Sequence, residues 1–76
     1  MKITVSQKDR KILVTFKSGK AVDNYAIDKA DSFINALDKF LKKRKLNIAV
    51  LKKADLKFAN VGMLTERIIR AIIAGL

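Results

Sequence analysis

The spacing of apolar residues changes along this chain, and that change constrains the fold more than any other feature. From Lys2 to Ile27 apolar positions recur at every second residue, whereas from Ala30 to Leu41 they recur at intervals of three and four. The first pattern sends alternate side chains to opposite faces of a strand, and the second lines one face of a helix. Lys2–Lys8 sets Ile3 and Val5 against Lys2, Thr4 and Ser6. Asp9-Arg10 reads as a tight turn, after which Lys11–Lys17 places Ile12, Val14 and Phe16 on one face and Leu13 and Thr15 on the other. Ser18-Gly19 is the next turn, because Gly tolerates positive φ. Ala21–Ile27 makes a third strand with Tyr25 and Ile27 on one side, and its weaker alternation marks an edge or a bulge. Three short strands joined by tight turns form an antiparallel meander.

Asp28 reads as a helix N-cap, with Asp31 three residues on completing a capping-box-like arrangement. Ala30, Phe33, Ile34, Leu37, Phe40 and Leu41 share one helical face, so the spacing predicts an amphipathic helix over 29–45. It ends in Lys42, Lys43, Arg44 and Lys45, positive charge at the negative end of the macrodipole. That placement accounts for the run structurally, and RNA contact is the sharper alternative. Leu46–Lys53 fits either a helical turn or a connector. Ala54–Val61 alternates Leu56 and Phe58 with Asp55 and Lys57, a fourth strand. Gly62 breaks it, and Thr65 is a candidate cap for a last helix.

The order is therefore β-β-β-α-β-α in a single domain, residues 1–76. A strand that follows a helix that follows a strand returns parallel through a right-handed crossover. The fold class is α+β: a mixed sheet of about four strands, the meander plus one parallel strand, with two helices on one face.

The last helix, Gly62–Leu76, is more apolar than one small sheet requires. Leu64, Ile68, Ile69, Ile72, Ile73 and Leu76 cover about half of a helical wheel, with Ala71 and Ala74 widening the surface. Glu66, Arg67 and Arg70 form the polar edge. The surplus calls for a second partner, either the other helix or another chain. Candidate contact residues are Phe33, Leu37, Ile68, Ile69, Ile72 and Ile73, some of which must serve the core.

Chemistry is less well represented. The absence of Cys and His excludes disulfides, the usual zinc sites, thiol nucleophiles and histidine acid–base pairs. The acids are Asp9, Asp23, Asp28, Asp31, Asp38, Asp55 and Glu66, and no two have a spacing that demands a shared metal or acid–base role. Asp38 can pair along its helix with Lys42. No catalytic residue, cofactor or metal is expected, and no enzyme activity. Apolar runs are too short to span a bilayer and the N-terminus lacks a signal-peptide core, so a cytoplasmic protein is expected.

Seventeen Lys and Arg against seven acids give a formal charge of +10. Such a field attracts polyanions, although a Lys-rich surface also keeps an apolar small domain soluble. Thirteen of the cations are Lys, the less specific phosphate contact. Candidate nucleic-acid contacts are Lys42, Lys43, Arg44, Lys45, Lys52 and Lys53. Phe16, Phe33, Phe40 and Phe58 sit on predicted core faces, which leaves Tyr25 as the one stacking platform.

The segments KITV, ILVTFKSGKAV and the run from Ala30 to Leu76 resemble the N-terminal half of the bacterial TsaB family. That family acts in threonylcarbamoyladenosine modification of tRNA and has an actin-like, ribonuclease-H-like ATPase fold. Phe40-Leu41, Leu46, Leu51, Leu56, Gly62, Leu64-Thr65, Arg67 and Gly75-Leu76 fall where the family has a Leu-Leu helix end, a leucine-spaced connector, a strand and a glycine-rich loop opening a helix that closes on Gly-Leu. The loop stands here as NVGMLTER, without most of its glycines, and the turn after the first strand as SQKDRK, without the acidic-hydroxyl pattern. The second lobe, needed to enclose a nucleotide, has no counterpart. The resemblance implies a non-catalytic interaction module whose two helices pair with those of a second copy or of a TsaD-like protein. A small basic RNA- or DNA-binding protein is the alternative.

Overall fold

Residues Lys2–Lys8 (β1), Lys11–Ser18 (β2) and Ala21–Ile27 (β3) form the antiparallel meander in the computed structural model of the chain, which describes residues 1–75. After a short 3-10 turn at Ala30–Ser32, helix α1 runs from Phe33 to Lys43. A second 3-10 segment, Ile48–Lys53, leads to β4 (Asp55–Ala59), and α2 spans Met63–Ala74. The sheet order is β3-β2-β1-β4, with β4 parallel to β1. The fold is thus α+β with a mixed four-stranded sheet, the parallel strand arriving through the α1 crossover. Leu76, counted in the apolar arc of the last helix, lies outside the described residues.

Register follows the alternation. Ile3 lies opposite Phe16 and Val5 opposite Val14, all pointing to the helix side and fully buried on the two central strands. β3 is an edge strand, which explains its weaker pattern: Asp23, Tyr25 and Ile27 face the helices while Val22, Asn24 and Ala26 face away. Phe16 is the hub of the core. Its ring stacks on Phe40 at 5.0 Å, tilts against Phe33 at 5.9 Å and meets Tyr25 edge-on at 5.7 Å. Helix α1 therefore sits over β2 and β3, its Phe33, Ala36, Leu37, Phe40 and Leu41 buried. Helix α2 covers the β1–β4 side, where Arg70 lies 4.9 Å above the Phe58 ring and is held by Glu66.

Several local expectations are corrected. The Asp28 carboxylate does not cap a helix: Lys11 Nζ donates to it at 2.6 Å across the hairpin. The 3-10 turn starts after Lys29 with no side-chain cap, and Asp31 is exposed and caps nothing. A cation facing it across the β2–β3 pair outcompetes backbone N–H groups because the contact is charge-assisted. Thr65 likewise lies inside α2, whose N-cap is Gly62. The Gly62 N–H instead donates to Gln7 Oε1 at 3.2 Å, tying the helix start to β1. Leu46–Lys53 resolves as a 3-10 helix capped by Asn47, whose side chain accepts from the Ala49 N–H.

The end of α1 carries a strained residue. Lys45 has φ of 55°, the left-handed position in which helices prefer Gly, and the Leu46 N–H reaches back to the Leu41 carbonyl at 2.8 Å. At the hairpins the same φ region falls to Asp9 and Gly19, residue types that tolerate it. Lys45→Gly is expected to stabilise the domain by about 1 kcal/mol, a rise of several degrees in melting temperature by circular dichroism. Phe16→Ala should cost about 3–5 kcal/mol, most of what a domain this size has, and leave a broad, low-temperature melt.

Candidate functional site: the helix layer and its cations

Both sets of residues singled out from sequence lie in the helix layer and its connector. The apolar set divides. Phe33, Leu37 and Ile69 are core: Phe33 and Ile69 are 0% exposed and form no contact surface in this fold, and Leu37, 2% exposed, reaches only the floor of a surface hollow. Ile68, Ile72 and Ile73 pack against the core while keeping part of their surface exposed. Within the apolar arc of α2, Ile69 seals against the sheet and Ile68, Ile72 and Ile73 flank it, while Leu64 stays exposed.

The most exposed apolar side chains lie elsewhere. Met63 and Leu64 in the first turn of α2 are 75% and 72% exposed, and Ile34 on α1 and Ile48 in the connector are 43% and 49% exposed. Helix α2 approaches the 30–32 turn more closely than the body of α1, so the two helices leave hollows between and beside them. One, of about 300 Å³, is lined by Ile34, Leu37, Asp38 and Leu41 together with Ile48. The other, of about 460 Å³, is lined by Ile48, Leu51, Lys52, Ile73 and Ala74. Ile48 is common to both, so the hollows adjoin. Ile34 was legible as one of the helix's apolar positions, but Ile48 was hidden by the ambiguity of its segment.

The basic set divides as well. Asp23, on the helix-facing side of edge strand β3, is only 11% exposed at its side chain because two cations close over it. Arg44 donates through Nε and Nη2 at 3.0 and 3.1 Å, and Lys43 Nζ adds a third contact at 3.1 Å. Lys42 pairs with Asp38 at 3.0 Å one turn back along α1. Of the four-residue basic run only Lys45 makes no ion pair among the described residues, and Lys52 and Lys53 are exposed on the connector. The run is thus partly neutralised and serves to fasten the end of α1 to the sheet edge. Tyr25 is no stacking platform: it faces inward against Phe16.

The hydrogen bond from Arg44 holds the Asp23 carboxyl below the ordinary carboxylate range, against some desolvation and with further help from Lys43. Asp28 is held low in the same way by Lys11. Among the described residues no cluster of three carboxylates capable of holding a metal occurs, and no helix is long and apolar enough to cross a membrane. Comparison with known protein families, with curated proteins and with solved structures returns no match for this chain.

A carboxyl whose pKa is lowered by folding adds stability above its unfolded value, about 4, and loses it as pH falls through the lower folded value. Asp23→Asn is therefore expected to melt below the wild type at pH 7, with the gap narrowing as the pH falls below about 4. Melts that coincide at pH 7 would show the clamp to be idle.

Proposed function

We propose that this chain is a non-catalytic association module that engages a protein partner through its helix layer, as the resemblance to the N-terminal lobe of the TsaB family implies. The observation that carries the reading is the pair of adjoining apolar hollows around Ile48, flanked by half-exposed Ile34 and by Ile73. Exposed isoleucines lining a concavity gain about 25 cal/mol per Å² when a partner covers them. Small domains have little apolar surface to spare from their cores. The β-β-β-α-β-α order with β4 parallel to β1 is consistent with such a lobe. On this reading the partner is a second copy or a TsaD-like protein, the setting is tRNA threonylcarbamoyladenosine modification, and the site of action is cytoplasmic. The chain supplies shape and surface, and the chemistry belongs to the partner.

Sedimentation over a concentration series, with and without a TsaD-like protein, tests this. Ile34→Ser/Ile48→Ser alters two exposed positions, so the domain should stay folded while association weakens by tenfold or more. Ile69 is unsuitable for this purpose, since Ile69→Ser would open the core. A wild type that stays monomeric at high concentration and ignores the TsaD-like protein would sink the reading.

A further inference from the structure

The sheet has a second face, and no helix covers it. Its side chains are the polar half of every alternation, and the register places them in rows across the strands. One row runs Val22, Lys17, Lys2, Asp55, and the next runs Asn24, Thr15, Thr4, Lys57. Lys2 and Lys17 stand directly opposite each other, an arrangement that disfavours the free protein because like charges on facing positions repel. Lys57 lies one strand and two residues from Lys2, about 8 Å by sheet geometry. None of these three lysines forms an ion pair among the described residues, although Asp55 sits beside Lys2 in register. Among the cations of the helix layer, Lys42, Lys43 and Arg44 are spent on Asp38 and Asp23, while Lys45, Lys52 and Lys53 make no ion pair among the described residues.

We infer that this open sheet face is a binding surface for the phosphate backbone of double-stranded nucleic acid. Lys2, Lys17 and Lys57 would meet phosphates, and the hydroxyl of Thr4 would donate to their oxygens, whereas that of Thr15 already donates to Asn24 Oδ1 at 2.8 Å. Strands about 4.8 Å apart and same-face residues about 6.6 Å apart give a lysine grid on the scale of successive phosphates. The face carries no aromatic side chain: Phe16, Tyr25 and Phe58 all point to the helix side, and Phe33 and Phe40 are in α1. Single-strand binders stack bases on aromatic platforms, so their absence favours the duplex and binding without sequence preference. A bilayer fits less well. Leu13 and Val22 are the largest exposed apolar groups on this face, with nothing aromatic to enter an interface.

Fluorescence anisotropy with short RNA and DNA duplexes of unrelated sequence, and with single strands, tests the inference. Three phosphate contacts predict a log–log salt slope near −2.7, about a fortyfold loss of affinity between 50 and 200 mM salt. Lys2→Gln/Lys17→Gln/Lys57→Gln should abolish most of that slope. The charge-matched Lys45→Gln/Lys52→Gln/Lys53→Gln should retain it. Lysine acetylation of the wild type supplies a second readout that needs no variant to fold: the duplex should protect Lys2, Lys17 and Lys57 but leave Lys45, Lys52 and Lys53 open. The RNA and DNA arms then say which polymer is preferred. Equal losses in both triple variants, protection confined to the helix layer, tighter binding to single strands, or no duplex binding at 50 mM salt would each overturn it. So would binding only to acidic vesicles.

Discussion

A four-stranded sheet with one apolar face has to be roofed across its whole width, and that requirement organises this molecule. Four strands at about 4.8 Å spacing present a face that two helices at about 10 Å spacing just span. Helix α1 takes the β2–β3 side with Phe40 stacked on Phe16, and α2 takes the β1–β4 side with Ile69 driven into the core. The two 3-10 segments close the gaps that the helices leave, contributing Ala30 and Leu51 to the buried set. Truncating Phe16 removes the ring against which Phe33 and Phe40 of α1 pack, and truncating Ile69 removes the fully buried side chain of α2.

Electrostatics then fixes how the roof is fastened. Among the described residues four of the seven acids are paired, and each pairing does a positional job. Asp23 pins the end of α1 to the β3 edge, and Asp28 ties the start of the crossover to β2 through Lys11. Glu66 steadies Arg70 over Phe58, covering the other edge strand. Asp38 spans one turn of α1 to Lys42. With so few acids, most lysines have no partner, and the excess charge is carried by the connector and by the open sheet face. A net charge of this size costs compactness through self-repulsion. The Schellman-type end at Lys45, strained for a non-glycine residue, adds to that cost.

Much of the fold was legible in the sequence because period two and period 3.6 are set by burial, and here burial is one-sided throughout. Ile3, Val5, Ile12, Val14 and Phe16 could be assigned to one face residue by residue, and the parallel return of β4 follows from chain topology. Caps were misread for a physical reason: Asp28 and Thr65 have side chains suited to capping, yet a long-range cation or a backbone N-cap served better. Leu46–Lys53 was opaque because a 3-10 helix has neither period. The division of Phe33, Leu37 and Ile69 from Ile68, Ile72 and Ile73 depended on where each helix lands on the sheet, which spacing within a helix does not encode. The Asp23 clamp could have been anticipated. Asp23 shares a face with Tyr25 and Ile27, and an antiparallel helix over β3 must end beside the start of that strand, bringing Lys43 and Arg44 to it.

The two candidate surfaces lie on opposite sides of one sheet, and this placement decides how they can work together. The molecule measures 18 Å along its shortest axis, about the thickness of one sheet plus one helix layer. A partner seated around Ile48 and a phosphate backbone lying across Lys2, Lys17 and Lys57 therefore do not compete for space. Each surface is also chemically unsuited to the other's ligand. The hollows are mainly apolar, with Asp38 and Lys52 at their walls, and the open face is polar with its apolar groups small or isolated. On the two proposals taken together, the chain would bridge a protein and a polyanion. Its rigid sheet would hold a protein and a polyanion at a fixed separation, which requires no moving part and no chemistry of its own.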